Sequence, residues 1–296
     1  MTPSSAVTAS AIASGLTLAT ASAGEDALAT LFEHATDSAV VTGFVQIGIA
    51  IVLAVLVLLV TYVRDMGFGR ELATTAGRGF VQILAAGAVI GTLLAAHLAW
   101  ASVVLTFMIV AAAWISHKRG AAIPGAFRAS LLAIAVSSGL VIGSMALVAV
   151  IEQTMRDLIV IGSMVIAMAM KTNSLTLERF TGEISANRAE IEAALSVGAP
   201  PDCVVGEYVS TSVYAALVPV LDKIKSLGIV SIPGLMSGMI VAGANPIYAA
   251  QYQFAIMLLL FAAGALTSMS STLLVSRYVF TDAKQLDDGV LEAIDA

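Results

Sequence analysis

The chain has 296 residues, 59% of them hydrophobic and 11% charged, and its mean hydropathy is +0.96. A soluble globular chain carries about 25% charge, so a chain this apolar needs lipid as its solvent, and a net charge of −6 does not suit nucleic-acid binding. The lone Cys203 excludes an internal disulfide or a multi-cysteine metal cage. No Gly-x-x-x-x-Gly-Lys-Ser/Thr run occurs, so the chain carries no phosphate loop of its own. In lipid every backbone amide must be bonded internally, which leaves helices or closed barrels. The uncharged runs are long and lack a ten-residue alternation, which selects helices.

Residues 1–37 are rich in Ala, Ser and Thr, carry acidic groups and hold no Lys or Arg. A secretory signal starts with basic residues. The stretch is therefore expected to be an extracytoplasmic tail. A crossing takes about 20 apolar residues. Residues 38–63 make the first, and residues 79–116 make two, turning near His97. Residues 129–151 make the fourth, and a fifth starts near Leu158 and is interrupted by Lys171. Residues 226–276 are uncharged and are expected to cross twice, turning at Gly243-Ala-Asn-Pro246. Residues 208–221 are uncharged but only 14 long, and are expected to lie at the inner interface or under the bundle. The expected fold is all-α: a transmembrane bundle of about seven spans over residues 38–281, with a coupling region at 181–225. An acidic cytoplasmic tail follows at 282–296.

Cytoplasmic loops are enriched in Lys and Arg. Arg64, Arg70 and Arg78, then Lys118, Arg119 and Arg128, then Arg179 and Arg188, then Arg277 and Lys284 all fall on one side of this seven-span arrangement. Only Arg156 falls on the other. The expectation is an N-terminus outside and a C-terminus in the cytoplasm.

The sizeable block of charge between spans begins with a helix from Glu183 to Gly198. Within Glu192-Ala-Ala-Leu-Ser-Val-Gly198 the small Ala193 and Ala194 permit close approach by a partner, and Gly198 is placed to end the helix. Glu183, Glu190 and Glu192 can meet basic groups. The plainer reading is a solvated interfacial helix. Downstream, Pro233 removes a helix hydrogen bond, and Gly234 and Gly238 loosen the turn, so a kink or break is expected there. Such breaks are tolerated where they are packed in protein or line a wet cavity. Met236, Gly238, Gly243 and Pro246 belong to the same segment. Arg78 and Gln82 lie one helical turn apart, and a Gln within a span seeks a polar partner. Thioether sulfur suits soft metals, which makes Met164, Met168, Met236 and Met239 weak metal candidates, although packing explains them as well. His34, His97 and His117 stand alone, without metal-ligand spacing.

Glu-Ala-Ala-x-x-x-Gly on a cytoplasmic loop resembles the segment by which ABC-transporter permeases dock onto their ATPase. The importer form of that pattern continues to a hydrophobic-x-hydrophobic-Pro, and here Leu217-Val-Pro219 lies too far downstream. A fuller resemblance, over about residues 40–285, is to the FetB/YbbM-type permeases. They are bacterial proteins associated with iron export and have plant relatives linked to aluminium tolerance. It rests on Arg78-Gly-Phe-Val-Gln82-Ile-Leu-Ala-Ala-Gly87, Ser174-Leu-Thr-Leu-Glu178-Arg179, Glu192-Ala-Ala-Leu-Ser-Val-Gly198 and Pro219. It continues through Gly228-Ile-Val-Ser-Ile-Pro233-Gly234-Leu-Met236-Ser-Gly238, Gly243-Ala-Asn-Pro246 and Ala249-Ala-Gln-Tyr252-Gln253. One departure is Ala167-Met168, where span five of the family carries Gly-Asn.

The resemblance implies a permease subunit in the cell membrane, without catalytic residues or a cofactor of its own. It would be paired with a second copy and driven by a separate ATPase that holds ATP and Mg. Glu190, Glu192, Ala193, Ala194 and Gly198 would form the coupling site. Arg78, Gln82, Pro233, Gly234, Met236, Gly238, Gly243 and Pro246 would form the pathway or gate. The alternative is a secondary carrier using Lys171, Asp222 and Lys223, but it lacks the repeated buried acids of ion coupling. A retinal protein needs a Lys in its last span, and residues 254–276 hold none.

Overall fold

In the computed structural model, residues 38–64, 69–93, 99–147, 154–281 and 285–295 are described. The N-terminal tail, His34, the His97 turn and Lys284 lie outside them. The chain divides into two units, residues 1–90 and 91–296. The described residues form ten α-helices and no strand. In the first unit, α1 (Ser38–Val63) is apolar throughout, and its side chains from Ile49 to Val60 are largely exposed, as lipid-facing or partner-facing groups are. Helix α2 (Gly69–Leu93) begins in that unit with Arg70 and Glu71.

The second unit is built on two long helices, α5 (Met155–Ala186) and α9 (Pro246–Ser276), which pack along each other. Helix α3 (Ala99–Ser116) packs on α5 and α4. Helix α4 (Ala126–Leu147) packs on α9 and α5. Helix α7 (Pro201–Ser226) lies against both α5 and α9. Three short helices complete the unit: α6 (Arg188–Ser196), α8 (Gly234–Val241) and α10 (Asp288–Asp295).

Local chemistry sets the helix ends. Thr154 caps α5 by accepting the Asp157 N–H at 3.2 Å, the N-terminal hydroxyl cap of many helices. Asn187 closes it, donating its N–H to the Glu183 carbonyl at 3.1 Å. Asn245 caps α9 by accepting the Ile247 N–H at 2.9 Å, with Pro246 at the first helical position, where its missing N–H costs nothing.

Five helices among the described residues are long and apolar enough to cross a membrane, and one of them is α7. Residues 208–221, expected at the inner interface or under the bundle because the uncharged run is short, belong to a helix of spanning length. The 14 apolar residues sit inside a 26-residue helix about 39 Å long, whose charged residues cluster toward its ends. The expected double crossing by residues 226–276 is corrected. Gly228 takes φ +74° and Pro233 is extended, so the helix ahead of the Gly243 turn has eight residues and is only about 12 Å long. By length and composition α7 is a candidate span, whereas α8 is too short for one. The charged stretch beginning at Glu183 is also not one helix. It is the end of α5 and then α6, separated at Asn187.

Candidate functional site

Helix α6 is anchored by one side chain. Ile191 is 0% exposed and packs into the apolar cluster that contains Phe180 and Ile184 of α5 and Val205 of α7. Leu195 packs at its edge. The opposite side of α6 is open: Glu190, Glu192 and Ala193 are exposed and Ala194 is half-buried. Glu192 accepts from Arg188 one turn earlier at 2.7 Å, an exposed pair worth a few tenths of a kcal/mol. Gly198 takes φ +86°. Its N–H donates to the Leu195 carbonyl at 3.0 Å, and the Ala199 N–H donates to Ala194 at 3.1 Å. Only glycine adopts this end geometry without strain. The result is a short acidic and small-residue face, pinned to two long helices.

The second feature is a cavity of about 270 Å³ between α5, α7, α8 and α9. Lys171 reaches it from α5 and Lys223 from α7. Pro233 and Gly234 supply the N-terminus of α8, and Gln253 faces it from α9. Its apolar wall includes Met164, Met168 and Met257. Pro233, the N-cap, offers no side-chain cap, so the first N–H groups of α8 have no partner within the helix. Gln253 is 4% exposed, and its Oε1 has no hydrogen-bond partner.

The predicted pathway residues separate on this geometry. Pro233 and Gly234 lie on the cavity, whereas Met236, Gly238, Gly243 and Pro246 are not part of its lining. The break is complete rather than a kink within a span, because seven residues of turn and extended chain separate α7 from α8. Gly243, at φ +93°, and Pro246 shape the turn into α9. Arg78 and Gln82 are exposed on α2. Of the weak metal candidates, Met164 and Met168 reach the cavity; Met236 and Met239 do not. Among the described residues no three His, Cys, Asp or Glu side chains gather to hold a metal ion.

A family model described as an uncharacterised protein family, UPF0014, matches residues 44–280. The chain belongs to the UPF0014 family. A relative named "Probable iron export permease protein FetB" from Escherichia coli is 28% identical over 242 residues, covering 81% of this chain and 93% of the relative. "Protein ALUMINUM SENSITIVE 3" of Arabidopsis thaliana is 28% identical over 252 residues, covering 85% and 92%. "UPF0014 membrane protein STAR2" of rice, Oryza sativa subsp. japonica, is 28% identical over 234 residues, covering 79% and 82%. No solved structure gives a significant match. Together with the apolar helices, these matches make the chain a multi-pass membrane protein of the UPF0014 family.

This UPF0014 chain also contains a row of buried polar groups that the sequence did not single out. Asn173 donates to the Ser116 and Ser130 hydroxyls, both at 2.9 Å. Thr176 donates to Ser268 at 2.9 Å, and Ser137 is bonded to Thr267. Thr172 bonds the Gly264 carbonyl at 3.3 Å, where a methyl on Gly264 would meet Thr172 Cγ2 at 2.9 Å. Small residues and short hydroxyls let membrane helices approach closely and bond across the gap. The available signal was the spacing of Thr172, Asn173 and Thr176, which places them on neighbouring faces of α5. Ala167 and Met168, the departure noted in the sequence, both line the cavity wall.

Proposed function

We propose that this chain is the membrane-spanning permease subunit of an ABC transporter, moving metal ions outward and powered by a separate cytoplasmic ATPase. The observation that carries the reading is α6. It is a nine-residue helix between two long helices, buried on one side through Ile191 and open on the other through Glu190, Glu192 and Ala193. A membrane segment that must transmit force from a soluble engine needs such a piece, held firmly from behind and accessible in front. Iron as cargo, and export as direction, are supported by the printed name of the Escherichia coli relative. A second copy of the chain completes the pathway in this reading, and ATP and Mg sit on the ATPase. The Lys and Arg distribution supports a cytoplasmic α6.

Ala194→Arg tests the docking. A long cation in place of a half-buried methyl puts an unpaired charge into a close interface, at a cost of several kcal/mol. The variant reaches the membrane at normal levels, since the substitution lies outside the apolar spans, but loses ATPase recruitment and transport. The measurement is a pull-down of the cognate ATPase with wild type and variant in one detergent. Equal recovery rules out α6 as the docking element.

A further inference from the structure

We propose that the cavity between α5, α7, α8 and α9 binds an anionic, hydroxyl-bearing organic acid: a hydroxycarboxylate, either free or wrapped around a metal ion. Its metal-bearing form rests on the transport reading above; the anion site itself does not.

Snorkelling to an interface explains one lysine in a membrane helix. It does not explain why Lys171 and Lys223, from separate helices, both line one cavity whose lining has no carboxylate. Among the described residues neither side chain is in an ion pair; Asp222, beside Lys223 in sequence, is paired with Lys225 at 3.3 Å. An anion in the cavity has both ammonium groups on its wall, and opposite charge attracts. The N-terminus of α8 adds partial positive charge and unpartnered N–H groups to the same wall.

An independent observation comes from α9. Gln253 is nearly fully buried, faces the cavity and leaves Oε1 without a donor. Buried amide oxygens are rarely left unpaired. A ligand hydroxyl satisfies this one, so the ligand carries a donor as well as negative charge. The volume, about 270 Å³, is just below the range of drug-sized sites, which suits a small organic acid. Met164, Met168 and Met257 offer polarizable thioether surface to its carbon skeleton. A bare divalent cation fits poorly, because both lysines repel it and no acid binds it.

The test is a titration of the full-length permease in lipid nanodiscs with three probes: sodium citrate, ferric citrate and a ferrous salt under anaerobic conditions. One or both citrate probes bind, and more weakly as salt rises. Lys171→Gln and Lys223→Gln each weaken citrate binding about tenfold, as loss of a charge-assisted contact does, whereas Lys171→Arg and Lys223→Arg retain it. Gln253→Glu weakens it too, by placing an anion against an anion. Equal binding of the two citrate probes identifies the free acid as ligand; binding of ferric citrate alone identifies the chelate. The proposal is overturned if neither citrate probe binds, or if binding ignores both lysines. It is also overturned if the ferrous ion binds without citrate and gains affinity in Gln253→Glu. No ATPase is needed in this titration, so its failure and a failure of α6 docking are separate results.

Discussion

Replacing Ile191 with alanine removes the apolar plug that holds α6 to the bundle. A nine-residue helix is too short to persist on its own, since isolated helices below about 12–15 residues are marginal in water. Its order therefore depends on the cluster in which Ile191 sits, fully buried among Phe180, Ile184 and Val205. Truncating a buried isoleucine to alanine costs about 2–5 kcal/mol. Because α6 packs only at this margin of the unit, the loss falls on local docking rather than on the whole fold. Even the lower bound shifts the docked-to-undocked ratio about 30-fold, at 1.4 kcal/mol per decade. Hydrogen exchange of residues 188–197 in detergent reads this directly, with the amides at the centre of α9 as the internal control. The expected result is at least that acceleration in the segment, little change in α9, and a smaller effect for Ile191→Val, which costs about 0.5–1.5 kcal/mol. Unchanged exchange at 188–197 refutes the anchoring role.

Three further outcomes are expected. Gly264→Ala forces a methyl to within 2.9 Å of Thr172 Cγ2 and destabilises the unit by about 1–3 kcal/mol, read as a lower Tm in detergent; an unchanged Tm shows that α5 and α9 are not packed this closely. Asn173→Leu removes two buried hydrogen bonds, to Ser116 and Ser130, and costs about 1–3 kcal/mol by the same measurement. Asn173→Asp, which keeps the shape but loses the amide donor, is no more stable than Asn173→Leu. For orientation, with exposed Cys203 first replaced by serine, an impermeant thiol reagent applied outside cells labels a cysteine at Thr36 and not one at Ser185. The reverse pattern removes the cytoplasmic placement of α6.

Much of the helical frame was legible because its signals are local. Thr154 and Asp157, Pro201, and Asn245 with Pro246 mark helix starts through their own side chains. Gly198 and Gly243 stand where the chain needs positive φ. The two misjudged helix lengths share a cause. Counting uncharged residues discounted α7, because Glu207 and Asp222 bound its apolar stretch closely, yet the helix continues past both. The same count credited residues 226–243 with a crossing, because no charge interrupts them, while Gly228 and Pro233 end the helix without any charge. The cavity was legible only in parts. Lys171, Lys223, Pro233 and Gly234 each stood out, but their convergence, and the burial of Gln253 among them, is set by packing between helices distant in sequence. The Ser, Thr and Asn row was missed because such residues look ordinary along a chain and become distinctive only when they face one another.

The unbroken run of α5 from Thr154 to Asn187 has a mechanical consequence. The same rigid rod carries Lys171 at the cavity and Ile184 behind α6, about 20 Å apart at 1.5 Å per residue. Helix α7 is a second rod of this kind, with Val205 at one end and Lys223 toward the other. A tilt of α5 by about 10° about its Ile184 end displaces Lys171 by about 3.5 Å over that arm. A push on α6 that tilted both rods would part or close the two lysines at the cavity like the jaws of tongs.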